Sequence, residues 1–420
     1  MDTLDETNLI YDWARAGRRQ AKWPKHVMLD DETLRDGLQS PSVVDPALET
    51  KVQILHLMEG FGIETADIGL PGAGARQYQA VLRLCREISE QRMRIRPNCA
   101  ARTMMVDIQP IAEISQITGV PMDAAIFIGS SPIRQYAEEW ELEFILRQTR
   151  DAVRFAVREG LGVMYVTEDT VRSSPEDLEP LLRAAIDEGA SRVCLCDTCG
   201  AAVPDAVYNL VSWAKELITG MGVDVGIDWH GHRDRGLDLA NSLAAIEAGA
   251  TRVHGTALGI GERVGNTPME QLLVNLQLLG LRDDDLTRLP EYIDLVAKAT
   301  GMSIGVNQPV VGRDCFRTAT GVHAAAIVKA KKRGHDWLAD RVYSGVPAGM
   351  IGRTQTIEIG PMSGASNVSW YLREREMPSE PAIVQTVLNA AKQSDRILDE
   401  SEISALVKIA EAAAAVAAKA

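Results

Sequence analysis

Two histidines separated by one residue, in Asp228-Trp229-His230-Gly231-His232, are the strongest chemical signal in the chain. On a strand, positions i and i+2 face the same way. His230 and His232 would then project together as a chelate for a divalent metal. The plainer alternative is two histidines in a polar loop. A second signal lies in Thr33-Leu34-Arg35-Asp36-Gly37-Leu38-Gln39. Asp36 offers a hard carboxylate oxygen, and Arg35 can hold or stabilise an anionic oxygen. A helix-capping aspartate beside a surface arginine would read the same. The third is the glycine-rich run Gly259–Asn266. Glycines let backbone approach a ligand closely, and Asn266 can present its amide oxygen. Together they predict a site of Asp36, His230, His232 and Asn266 for Mn²⁺, Mg²⁺, Zn²⁺ or Co²⁺, among which O and N donors do not choose.

These residues need elements to hold them. From about residue 26 to about 282, short apolar β-branched runs alternate with longer amphipathic stretches. The predicted strands are His26–Asp30, Ile63–Ile68, Arg94–Cys99, Ala124–Ile128, Gly162–Thr167, Arg192–Cys196, Val225–Trp229 and Thr251–Gly255. The predicted helices are Pro46–Glu59, Arg76–Glu90, Ala137–Arg158, Pro175–Glu188, Pro204–Leu217, Leu237–Ala248 and Pro268–Leu279. Several open with proline or just after Ser, Thr or Asp. The pattern predicts a (β/α)₈ TIM barrel over 26–283. An open doubly wound sheet shares that alternation. The three signals follow strands one, seven and eight, which are neighbours only if the barrel closes. Residues 1–25 read as an N-terminal helical extension, 284–345 as a helical subdomain, and 346–420 as a Gly/Pro-rich stretch followed by two helices.

The chain has 420 residues, 44 basic and 58 acidic, for a net charge of -14. Such a field repels nucleic acid and anionic lipid, so neither is expected as a partner. No apolar run is long enough to cross a membrane. The acidic start does not read as a signal peptide. Six scattered cysteines suit a reducing cytoplasm. Cys194, Cys196 and Cys199 could be a zinc site, but strand packing explains them better.

The segments around Arg35, His230 and Asn266 resemble the signature of the DRE-TIM metallolyase superfamily. That superfamily includes 2-isopropylmalate, homocitrate, citramalate and Re-type citrate synthases, and hydroxymethylglutaryl-CoA lyase. The resemblance spans roughly residues 26–372. It matches the arginine–aspartate pair to Arg35 and Asp36, and the metal ligands to His230, His232 and Asn266. Glu168-Asp-Thr-Val-Arg resembles the family's Glu-Asp-x-x-Arg and makes Glu168 a catalytic carboxylate. Asp197-Thr-Cys-Gly resembles Asp-Thr-x-Gly and makes Thr198 a substrate contact. By position alone, these are a helix-start carboxylate and a capping hydroxyl.

The Gly259–Asn266 loop lacks the lyases' cysteine, and a long C-terminal extension follows the barrel. Both resemble the Claisen-condensing branch. Gly321-Val-His matches the catalytic histidine to His323, which position alone reads as a packed helix histidine. Tyr343-Ser-Gly-Val-Pro matches the active-site tyrosine to Tyr343. In the family both residues reach a neighbouring subunit's site, which implies a homodimer. The implied reaction joins acetyl-CoA to a 2-oxo acid, with His323 or Glu168 as base. Asp67, Ala125, Met164 and the pair Thr318-Ala319 depart from the family pattern, which leaves the acid open. Arg102 and Arg134 are candidates for a second carboxylate. A metal-dependent C–C lyase and a catalytically inactive binding barrel are the competing readings.

Overall fold

Eight strands follow one another around a closed, all-parallel barrel: β1 (Met28–Asp31), β2 (Thr65–Asp67), β3 (Arg96–Arg102), β4 (Asp123–Gly129), β5 (Gly162–Glu168), β6 (Arg192–Asp197), β7 (Gly226–Gly231) and β8 (Arg252–Gly255). The computed structural model describes residues 9–13, 16 and 22–417. The barrel closes where β1 pairs with β8, from Met28 opposite Arg252 to Asp31 opposite Gly255. Each predicted strand is present, and the doubly wound alternative is excluded. Alternation along β7 and β8 sends Trp229 and Val253, both fully buried, to one face and Asp228, His230, Arg252 and His254 to the other.

The helices of this unit are α1 (Leu48–Gly60), α2 (Ala75–Gln91), α3 (Met105–Thr118), α4 (Pro132–Glu138), α5 (Leu142–Arg158), α6 (Pro175–Asp187), α7 (Pro204–Met221), α8 (Asp238–Ala248), α9 (Met269–Leu278) and α10 (Leu289–Thr300). Two depart from expectation. Helix α3 was not predicted. It carries Pro110 inside and exposes Met105 and Val106 while burying Ile108 and Ile111, so its apolar residues do not form one clean stripe. The single helix expected over Ala137–Arg158 is two, parted where Glu139 adopts a left-handed φ of 56°.

The chain divides into two units, one ending at Ile304 and the other taking up Gly305 onward. Helix α10, placed beyond the barrel on sequence, belongs to the first. Its Tyr292 is fully buried. The Tyr292 hydroxyl donates to Asp31 Oδ2 at 2.5 Å and lies 3.1 Å from Thr33 Oγ1, so it pins the chain just before Arg35. Tyr292→Phe leaves Asp31 with one buried oxygen unpaired, at a cost of about 1–3 kcal/mol. The thermal midpoint should fall by a few degrees; an unchanged midpoint would remove this clamp from the account.

The second unit holds a two-stranded parallel sheet, β9 (Arg317–Thr318) and β10 (Thr356–Ile357), with α11 (Gly321–Lys332), α12 (Asp336–Arg341), α13 (Ala365–Glu374), α14 (Pro381–Gln393) and α15 (Glu400–Ala417). Its core gathers Ile359, Val368, Leu372, Ile383, Val387 and Ile403. The expected N-terminal helical extension lies largely outside the described residues. Among the described residues, no helix is long and apolar enough to cross a membrane.

Candidate functional site

The carboxyl ends of β1, β7 and β8 bring the predicted metal residues together. His230 Nε2 lies 3.9 Å and His232 Nε2 3.8 Å from the same oxygen, Asp36 Oδ2. The two imidazole rings are 5.1 Å apart, edge to face. Asn266 Nδ2 donates to that Asp36 oxygen at 2.6 Å. All four residues are buried.

The backbone explains how Asn266 arrives. It bridges to His232 in antiparallel fashion, and its amide donates to Gly259 O at 3.0 Å. The turn requires glycine. Gly265 has φ of 99°, and a Cβ there would fall 1.8 Å from Gly259 O; Gly261 has φ of 152°, and a Cβ there would fall 2.2 Å from Asn266 Nδ2.

The donor set fits a divalent cation. Asn266 Oδ1 is buried and lacks a hydrogen-bond partner, an arrangement that costs free energy unless something else satisfies it. Burial, reinforced by nearby His230, pushes His232 down to about 4. Its imidazole is therefore neutral and able to ligate at physiological pH.

Three features around this set were not singled out from sequence. Glu32 Oε2 lies 2.8 Å from His230 Nδ1, a close ionic contact that sets a carboxylate behind the ring. Glu32 Oε1 takes His254 Nδ1 at 2.9 Å, and His254 Nε2 faces Asp228 Oδ2 at 3.3 Å. Arg252 and Arg192 both pair with Asp228. A buried chain of polar groups thus runs down the barrel interior beneath the metal residues. Glu32, His230 and His254 form a second cluster with ligand-like spacing.

Arg35 is held by three carboxylates. Its Nε donates to Asp67 Oδ2 at 2.6 Å, Nη1 lies 3.1 Å from Asp36 Oδ1, and Nη2 lies 3.1 Å from Glu32 Oε1. Asp67, where the family pattern has glutamate, still reaches the guanidinium.

Glu32, Arg35, Asp36, His230, His232 and His254 line one side of a cavity of about 260 Å³. Glu168 and Thr198 also line it, and Thr198 Oγ1 accepts from the Asp169 amide at 2.8 Å. Burial raises the Glu168 carboxyl above its usual range, against the pull of Arg134 and Arg35.

The remaining expected residues lie elsewhere. Arg102 makes a two-pronged pair with Asp107, at 2.6 and 2.9 Å, and does not line the cavity. Arg102→Ala should leave turnover within about threefold, because Asp107 holds its guanidinium and it does not line the cavity. A loss of a hundredfold in kcat/KM would return it to the site. Arg134 pairs with Glu138 at 3.1 Å and lines an adjoining groove with Glu168 and Thr198. His323 and Tyr343 belong to the second unit. They stack with centroids 4.0 Å apart and are exposed, so His323 is not the packed histidine its position suggests.

The thiolate alternative does not form. Cys194 and Cys196 sit 3.8 Å apart in an apolar cluster with Ala125 and Met164, while the Cys199 thiol meets Arg172 Nη2 at 3.2 Å. Among the described residues, neither cluster with ligand-like spacing contains a cysteine.

The model of the HMGL-like family matches residues 26–296. A homocitrate synthase of Methanopyrus kandleri is 32% identical over 383 residues, 90% of each chain. A probable 2-isopropylmalate synthase of Ignicoccus hospitalis is 31% identical over 389 residues, 92% of each chain. Among solved structures, the HMG-CoA lyase of Bacillus subtilis aligns with a TM-score of 0.56 at 20% identity, over 68% of this chain and 97% of that one. That last likeness concerns the barrel fold alone.

Proposed function

The chain belongs to the HMGL-like family, and from that premise we propose that it joins acetyl-CoA to a 2-oxo acid, releasing CoA and a 2-alkylmalate-type product. The observation that carries this reading is the convergence of Asp36, His230, His232 and Asn266 beside Arg35 at the barrel mouth. The synthase names of its relatives agree with it.

Asp36, His230, His232 and Asn266 would hold a divalent ion. When bound, such an ion supplies Lewis acidity toward a keto oxygen. Glu32 sets a carboxylate behind His230. A base, Glu168 or His323, takes a proton from the methyl group of acetyl-CoA. The resulting enolate forms a carbon–carbon bond to the keto carbon. Arg35 offers its guanidinium to the alkoxide that develops there, and the alkoxide then gains a proton. Water cleaves the thioester to a carboxylate and free CoA.

His323 and Tyr343 serve the partner's site in a homodimer on this reading, which their exposure on the second unit supports. The six cysteines are all free, which suits the cytoplasm.

The test is thiol release from acetyl-CoA with 2-oxoisovalerate, pyruvate, oxaloacetate and 2-oxoglutarate in turn, with Mn²⁺ added. Release that depends on one of these acids supports the condensation. Release with none of them overturns it.

A further inference from the structure

The cavity has two unlike halves. On the β1, β7 and β8 side stand Glu32, Arg35, Asp36, His230, His232 and His254. On the β3–β6 side, the lining is Ala100, Ala125, Phe127, Met164, Val166 and the cysteines of β6, with Glu168 and Thr198 above them at the carboxyl ends of β5 and β6. Strand register makes that second side continuous. Ala100 pairs with Ala125 and Ala125 with Met164 across β3, β4 and β5. In the next row, Phe127 pairs with Val166 and Val166 with Cys194. Side chains in register on one face lie side by side, so these two rows form an apolar wall.

From this division, and resting on the condensation proposed above, we infer that the substrate is a monocarboxylic 2-oxo acid whose aliphatic side chain lies on the wall of Ala100, Ala125 and Met164. The carboxylate and keto oxygens belong on the charged half, which leaves the substituent to face β3–β6. A dicarboxylic acid would press its far carboxylate against that wall.

Among the described residues, no cation stands on that wall to receive it, and Arg134 in the adjoining groove pairs with Glu138. The arginines lining the cavity are Arg35 and Arg263. Arg35 stands on the charged half, held by Glu32, Asp36 and Asp67, where it serves the keto oxygen rather than a far carboxylate. Arg263 is engaged by both oxygens of Asp234, at 2.9 Å each, and by Thr198 O at 2.7 Å. Arg252 lies beneath the wall, with Nη2 3.1 Å from Met164 Sδ, but it is committed to Asp228. An ionised carboxylate buried without a partner is strongly disfavoured. The wall is also shallow at two positions, since Ala100 and Ala125 leave room beside the longer Met164. Those side chains set the size of substituent the site accepts.

Calorimetric titration of the full-length protein with each acid, in Mn²⁺ and without acetyl-CoA, reads this selectivity without turnover. 2-Oxoisovalerate or pyruvate should bind at least about tenfold more tightly than oxaloacetate and 2-oxoglutarate. Equal or tighter binding of either dicarboxylic acid overturns the inference, as does binding of none of the four. Ala125→Leu should weaken 2-oxoisovalerate about tenfold while leaving pyruvate within about threefold. Met164→Ala, which removes bulk and leaves no overpacking, should shift preference toward 4-methyl-2-oxopentanoate. If neither variant changes the ranking, the wall does not select the substrate. Selective binding without CoA release would sink the condensation and leave the wall's assignment standing.

Discussion

His230→Ala is expected to lose its divalent ion and, with it, at least about a thousandfold in turnover, since a metal acting as Lewis acid supplies several kcal/mol of transition-state stabilisation. Of the four candidate ligands, His230 is the most firmly prepared, with Glu32 Oε2 2.8 Å from its Nδ1. Alanine removes the donor and also leaves the buried Glu32 oxygen without that partner. Asp36→Ala should match it, because both imidazoles converge on Asp36 Oδ2. Glu32→Gln provides a graded control. It keeps the shape beside His230 but removes the carboxylate charge behind the ring, so metal affinity should fall by roughly 10- to 100-fold, with activity restored at high Mn²⁺. Elemental analysis of the dialysed proteins, set beside thiol release, checks the series. Stoichiometric metal retained by His230→Ala or Asp36→Ala would contradict the ligand set.

Much of this site could be read from the sequence because barrel topology turns linear order into adjacency. The His230–His232 spacing and the glycine-rich run before Asn266 are local signals. Closure between β1 and β8 is what makes them meet. The parts that escaped notice depend on the barrel interior. Asp228 and His230 share a strand face, as do Arg252 and His254, so the period-2 pattern was visible. What it could not say is that His254 would span from Glu32 to Asp228, because that pairing joins three strands. Arg102 shows the opposite case. It lies at the end of a barrel strand, where functional residues gather, yet a carboxylate five residues on, Asp107, captures its guanidinium. Helix α10 was set apart from the barrel because no strand precedes it, and the Tyr292 contact with Asp31 is what assigns it there.

The proton-transfer step carries the second large effect. Glu168→Gln and His323→Ala should each lose roughly 10² to 10⁴-fold in kcat if each residue moves a proton. Glu168 lines the cavity, and its burial raises its carboxyl above the ordinary range. A base must be deprotonated to act, so kcat/KM should climb as pH passes upward through that raised value. Glu168→Gln should erase that acidic limb, and a limb that survives it belongs to another group. His323 stacks on Tyr343 in the second unit and is exposed, so an effect on turnover cannot come from lost core packing. The two variants also test the shared site. If His323 of one subunit completes the other subunit's barrel, a hybrid dimer of one Glu168→Gln chain and one His323→Ala chain keeps one intact site. Equal mixing after dissociation should then restore about a quarter of wild-type activity by random pairing, although each parent is nearly inactive. If every site draws both groups from its own chain, no pairing contains an intact site and mixing restores nothing. Near-normal turnover by His323→Ala alone would remove that histidine from the mechanism and leave Glu168 as the base.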